Sequence, residues 1–237
     1  GQQRAAPPRN RNRDETARSR SGRKVADVES YVLRVWLPDR PGALGAVASR
    51  IGAVKGDVVG IEILETGVGQ AVDELVVRIP DATLVDLLVA EVRQVDGVHV
   101  EEVRATGGED HDPRLAGLEA AAALVVAADR PALLTAIDEH APRSLTATWV
   151  AVLDRSSGEV LRSSGAAAPT GEWLRAFVVG AEAGGGGSSD VVWAALPDSG
   201  LALVAGRDRT AWRDRERRHL DALARIIDRR WQELAER

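Results

Sequence analysis

Apolar positions alternate between two spacings from residue 30 onward, one of period 2 and one of period 3.6. Tyr31, Leu33, Val35 and Leu37 fall on one side of a run and Val32, Arg34 and Trp36 on the other, which is the alternation of a strand. The run ends at Pro38. Pro41 fits the first turn of a helix, where its missing N–H costs nothing. Gly42 lets another group approach the backbone closely. Leu44, Val47, Ala48, Ile51 and Val54 then recur at helical spacing. A second strand, Val58 to Leu64, follows the Gly56-Asp57 turn, and Gly67-Val68-Gly69 marks a hairpin into a third, Ala71 to Ile79. Pro80-Asp81 breaks that strand. Leu84, Leu87, Leu88, Val92 and Val95 then share one helical face, closed by Asp96-Gly97. Val98 to Val103 is a fourth strand. This order predicts an α+β, ferredoxin-like sandwich with two helices over one face of a four-stranded sheet. The other face carries Val32 and Trp36 and is expected to need a cover, either a second copy or a second domain.

A polar, Gly-rich stretch, Thr106 to Pro113, separates this unit from a different pattern. Leu115, Leu118, Ala121, Ala122, Val125 and Val126 predict a helix, and Asp129-Arg130-Pro131 starts another containing Leu133, Leu134 and Ile137. Thr146 to Asp154 reads as a strand, paired back on Glu159 to Ser163 through Ser156-Ser157-Gly158. Gly171 to Glu182 is helical. Asp190 to Leu196 and Leu201 to Ala205 are strands joined by Pro197-Asp198-Ser199-Gly200. Arg213 to Leu234 is a long closing helix with an apolar stripe of Leu220, Leu223, Ile227, Trp231 and Leu234. Its arginines are interspersed with Asp214, Glu216, Asp221 and Asp228, which reads as a salt-bridged exposed face rather than a nucleic-acid surface.

The chain has 237 residues, enough for one or two domains. There is no Cys, which removes disulfides and thiolate chemistry and fits a reducing cytoplasm. Net charge is −5, so the molecule as a whole has no pull toward nucleic acid. No apolar run reaches membrane-spanning length, and the first residues carry no signal-peptide pattern. The expected location is the cytoplasm. The Ala, Arg, Val, Gly and Asp bias suggests a bacterial genome of high GC content. Residues 1–28, Arg-rich and nearly free of apolar side chains, read as a disordered tail.

The first unit, with Asp39-Arg40-Pro41-Gly42-Ala43-Leu44 between its first strand and helix and Gly56-Asp57-Val58-Val59 leading into its second strand, resembles an ACT domain. The resemblance covers roughly residues 30–105. It implies a fold that pairs with another copy to bind a free amino acid or similar small molecule, between the first-helix turn of one copy and the second strand of the other. Carried onto this sequence, the ligand-binding residues are Asp39, Arg40, Pro41, Gly42, Ala43, Leu44, Asp57, Val58 and Val59. Many amino-acid binders of the family have an Asn where this chain has Val58, so either Asp57, Asp39 or Arg40 replaces that amide or the fold is kept without the ligand. The second half resembles a small GAF-like domain in its element order and its Trp212-Arg213-Asp214-Arg215-Glu216 stretch. GAF domains serve as small-ligand, dimerisation or regulatory modules. The implied organisation is a tail over 1–28, an ACT-like domain over 29–105, a linker over 106–113 and a GAF-like domain over 114–237.

No catalytic set emerges. His99, His111, His140 and His219 have no metal-ligand spacing and read as surface residues. The serines at 163, 164, 188 and 189 lack a marked base. Asp73-Glu74 and Glu101-Glu102 would point to opposite faces of a strand and read as solvated charges. The expectation is a non-enzymatic regulatory or sensor protein, homodimeric, binding an amino acid, with no cofactor, metal, membrane or nucleic-acid partner. The alternative is a ligand-free homodimeric assembly module.

Overall fold

Tyr31 to Leu37 lie at the centre of a sheet covered on both sides, and the covering of its second side organises the molecule. The computed structural model describes Gly1 and residues 29–106, 112–184, 188–208 and 210–235. The tail after Gly1, most of the linker with His111, and the glycines at 185–187 lie outside the described residues.

The first unit runs β1 (Glu29–Pro38), α1 (Ala43–Ala53), β2 (Asp57–Gly67), β3 (Gln70–Ile79), α2 (Val85–Val92) and β4 (His99–Ala105). Its strands form one antiparallel sheet in the order β2-β3-β1-β4, as the ferredoxin-like pattern requires. Leu33, Val35 and Leu37 of β1 and Leu75, Val77 and Ile79 of β3 pack with Val47, Ile51, Leu88 and Val92 of the helices. Pro41 does not open the helix. Arg40 to Ala43 form a turn in which Ala43 N–H donates to the Arg40 carbonyl (3.3 Å), with Pro41 and Gly42 at its centre. Gly42 has φ 88° and ψ −11°, the third position of a type II turn, so conformation rather than space selects glycine there.

The second unit runs α3 (Pro113–Val126), α4 (Arg130–Leu145), β5 (Trp149–Asp154), β6 (Val160–Ser164), α5 (Gly171–Glu182), β7 (Val191–Leu196), β8 (Leu201–Gly206) and α6 (Asp214–Glu233). Its sheet is antiparallel, in the order β6-β5-β8-β7. α3, α4 and α6 pack on one face, around Val150, Val152, Leu203 and Leu220, while α5 packs on the other through Leu174 and Val178. Asp228 of α6 is buried and not part of an exposed charged face. Its carboxylate accepts from the Asp198 and Ser199 N–H groups (3.1 and 2.9 Å) and so fixes the β7–β8 turn against the helix.

The start of α6 covers the face of the first sheet that its own helices leave bare, so a second domain supplies the expected cover. Val32 and Arg34 on that face are each 1% exposed. Arg34 donates to Glu74 Oε1 (2.7 Å) and, across the domain boundary, to Glu216 Oε1 (2.9 Å) and the Ala211 carbonyl (3.1 Å). Glu216 also accepts from Arg207 Nη1 (2.5 Å) and Nη2 (2.7 Å) and from the Arg213 N–H (2.8 Å). Arg213 donates to Glu101 Oε1 (2.6 Å) and lies over the Trp36 ring, 4.6 Å from its centroid, while Arg215 pairs with Glu62 (2.7 Å). These strand carboxylates are therefore not solvated charges. Buried ions persist only where partners replace their lost hydration, and here each domain supplies partners for the other.

Candidate functional site

The residues singled out at the first strand–helix junction form an exposed ridge at one end of the first sheet. The Asp39 N–H donates to the Gly69 carbonyl (3.0 Å), which holds the ridge against the β2–β3 hairpin. No side chain caps α1. Ala46 N–H reaches the Gly42 carbonyl (3.0 Å), whereas the N–H groups of Leu44 and Gly45 find no backbone acceptor among the described residues. The positive end of α1 therefore presents free donors beside Asp39, Arg40, Pro41 and Gly42, all exposed. Ala43 is buried and Leu44 half-buried, so these two shape the turn from below.

Asp57, Val58 and Val59 are not beside this turn. β1 and β2 are both antiparallel to β3 and hence parallel to each other, and Asp57 and Ser30 both lie opposite Arg78. Asp57 therefore sits level with the start of β1 and the Asp39 turn lies beyond its end, about 30 Å away at the rise of a strand. Val58 is half-buried against the helix-side core and Val59 is the extra residue of a bulge before Gly60, 43% exposed. One chain thus carries the two halves of the predicted site at opposite ends of its sheet. β2, the strand between them, is an edge, and its Val59, Ile61 and Ile63 are all exposed.

Sequence reasoning missed Asp73. It faces the helix side, opposite Val35 and Ile63, and is 3% exposed, with Oδ1 lacking any hydrogen-bond partner. Burial pushes its carboxyl above the ordinary aspartate range, and the charge of Asp39 pushes it further. A buried, unpartnered acid next to a second acid favours a cation. The signal was present in the sequence, because Asp73 occupies the inward register of Ala71, Leu75, Val77 and Ile79. Asp73→Asn removes the uncompensated charge and is expected to raise the thermal midpoint at pH 7 by about 2–4 °C. The sign follows from linkage: a raised folded-state pKa means that the ionised form destabilises the fold, fully so above that pKa and not at all below the unfolded value. A scan at pH 7 in which Asp73→Asn melts below the wild type would contradict this account.

No helix among the described residues is long and apolar enough to cross a membrane, and no group of His, Cys, Asp or Glu there could hold a metal ion.

A family model described as the ACT domain matches residues 31–97, from the first strand to the end of the second helix's turn. No curated protein matches the chain. Among solved structures, the chain is similar to the ACT domain from GTP pyrophosphokinase of Chlorobium tepidum, at 17% identity and TM-score 0.27, over 33% of this chain and 97% of that one. It is also similar to the C-terminal domain of the MgtC protein from Mycobacterium tuberculosis (16% identity, TM-score 0.28, 35% of this chain and 95% of that one). An unknown protein from Galdieria sulphuraria matches at 12% identity and TM-score 0.32, over 88% of this chain and 94% of that one. With the βαββαβ order, the β2-β3-β1-β4 sheet and the Asp39–Leu44 turn in place, the segment spanning residues 31–97 is an ACT domain.

Proposed function

We propose that this chain is a non-catalytic regulatory protein whose ACT domain binds a free amino acid between two copies. The observation that carries the reading is the separation of the two site halves along an exposed apolar edge. A two-fold axis pairing two β2 edges antiparallel reverses one sheet against the other. It brings Asp57 to Val59 of each copy to the Asp39 turn of its mate, and buries Val59, Ile61 and Ile63. The free N–H groups at the start of α1 would meet the ligand's carboxylate. Asp39 and Asp73 would meet its ammonium, taking over from the amide that Val58 does not provide. The second domain, GAF-like in element order, would read out the ligand state through α6, which rests on the bare face of the same sheet.

Val58 also supports a second reading, a homodimeric assembly module that has kept the fold and lost the ligand, since its side chain packs into the core. Thermal unfolding of the purified chain against the common amino acids, with its mass in solution, separates the two. Binding stabilises by about 2.7 kcal/mol at a hundredfold excess over Kd, a shift of several degrees for a chain of this size. Gly42→Asp places a second negative charge where the carboxylate would sit and is expected to abolish the shift. A dimer unmoved by every amino acid would favour the assembly module. A shift that survives Gly42→Asp would move the ligand elsewhere.

A further inference from the structure

We infer that the cleft between the two domains is a binding site for a small organic anion with an apolar body, separate from the ACT turn. A cavity of about 420 Å³ lies between the bare face of the first sheet, the start of α3, the end of α4 and the first turns of α6. It adjoins a second cavity of about 440 Å³ that shares Glu62, Glu74, Pro113 and Arg114 with it. Either is within the size range of small-molecule sites.

The charges on its wall decide which ligand fits. Every acid there already has a cation: Glu74 has Arg34, Glu216 has Arg34 and Arg207, and Glu62 has Arg215. Arg114 and Arg218 line the same cavity and make no ion pair among the described residues. The hydrogen bond of Arg218 runs from Nε to the Asp214 carbonyl at 3.4 Å. Arg218 is thus left for a ligand, and Arg114 beside it, whose charge also acts on Glu62, pairs closely with no acid among the described residues. Guanidiniums suit carboxylate and phosphate oxygens alike.

The interior is neutral and partly apolar. His219 is half-buried in the wall of this cavity rather than a plain surface residue. Its Nε2 lies 3.1 Å from Ser144 Oγ, and burial and the Arg215 charge hold the imidazole below its ordinary pKa, so the pair offers an uncharged donor and acceptor. Leu64, Leu118 and Leu145 complete the wall. Gly117 of α3 keeps the space open, since a Cβ there would come within 3.1 Å of the His219 ring. Ser144 sits in the last turn of α4, at the negative end of that helix, so the ligand's charged head belongs at Arg114 and Arg218 and its neutral body beside Ser144 and His219.

Benzoate and phenyl phosphate share a ring and differ in head group, and benzyl alcohol is their uncharged counterpart. Thermal unfolding of the full chain is expected to respond to at least one of the two anions, by about 3 °C at a tenfold excess over Kd, and not to benzyl alcohol. The responding head group tells a carboxylate site from a phosphate-ester site. Arg114→Ala with Arg218→Ala is expected to abolish the response without lowering the unliganded midpoint, both side chains being exposed. Gly117→Ala is expected to weaken it, and Gly42→Asp to leave it intact. No response to either anion, an equal response to benzyl alcohol, persistence in the double arginine variant, or loss in Gly42→Asp would each overturn the proposal.

Discussion

Glu216→Ala is expected to destabilise the chain by about 3–5 kcal/mol, the cost of leaving a buried charge without its partner. Its carboxylate accepts from Arg34, Arg207 and the Arg213 N–H, so truncation leaves the buried Arg207 with no carboxylate and Arg34 with Glu74 alone. It also removes the side-chain half of the box that starts α6. For a chain of this size the midpoint falls by roughly 10 °C. The joint between the first unit and α6 then rests on the Arg213–Glu101 and Arg215–Glu62 pairs and the Arg213–Trp36 contact, and calorimetry is expected to show two transitions in place of one. The same group sets an acid limit. Burial alone would raise the Glu216 pKa, but the hydrogen bonds and charge of Arg207, with the charge of Arg34, outweigh it and hold the carboxyl below its ordinary value of 4.5. A depressed folded-state pKa stabilises the fold above the unfolded value, and this contribution is lost as pH falls through the folded one. The wild type is therefore expected to lose stability more steeply than Glu216→Ala below about pH 4.5. A variant that melts once, within a degree of the wild type, would show that the ion network does not join the domains.

Ile61→Lys is expected to halve the mass in solution and to abolish any response to amino acids. Ile61 is 45% exposed near the middle of the β2 edge, so the single chain tolerates the change. Across a two-fold axis the substitution sets two ammonium groups near one another and removes two side chains from burial. Each buried isoleucine contributes about 1.5–3 kcal/mol, so the pair weakens by roughly a hundredfold or more. Lysine on an edge is also the usual means by which monomeric sheets avoid pairing. Light scattering on both proteins decides the matter: an unchanged mass for Ile61→Lys would exclude the β2 edge as the contact.

The architecture was largely legible because its signals are local. Alternation in Tyr31–Leu37, the Gly67–Gly69 turn and the apolar stripe of the last helix each specify an element without knowledge of the rest, and Gly171–Glu182 is a helix with the bounds its sequence suggested. The turn around Pro41 was placed correctly and its geometry was not, since Pro-Gly serves a type II turn as readily as a helix start. What pattern could not reveal is pairing over distance. Arg213, Arg215 and Glu216 read as part of a salt-bridged exposed helix face, and Glu74 and Glu101 as solvated strand charges, because a charge does not say which distant group it will meet. Only the packing of one domain on the other shows that these groups neutralise one another. His219 and Ser144 were opaque for the same reason, lying 75 residues apart.

The contact between Arg34 and Glu216 spans 182 residues, which has a consequence for how the chain is made. At ordinary synthesis rates the first strand waits roughly 10–35 s for the helix that covers it. Throughout that interval the nascent ACT sheet exposes one whole face to a crowded ribosome exit. A purely apolar face would invite the strand-to-strand capture that leads to aggregates. The arginines and glutamates that later become the joint between the domains are wettable in the meantime. Charge at this interface thus acts as a gatekeeper for the half-made protein before it acts as a fastener for the finished one.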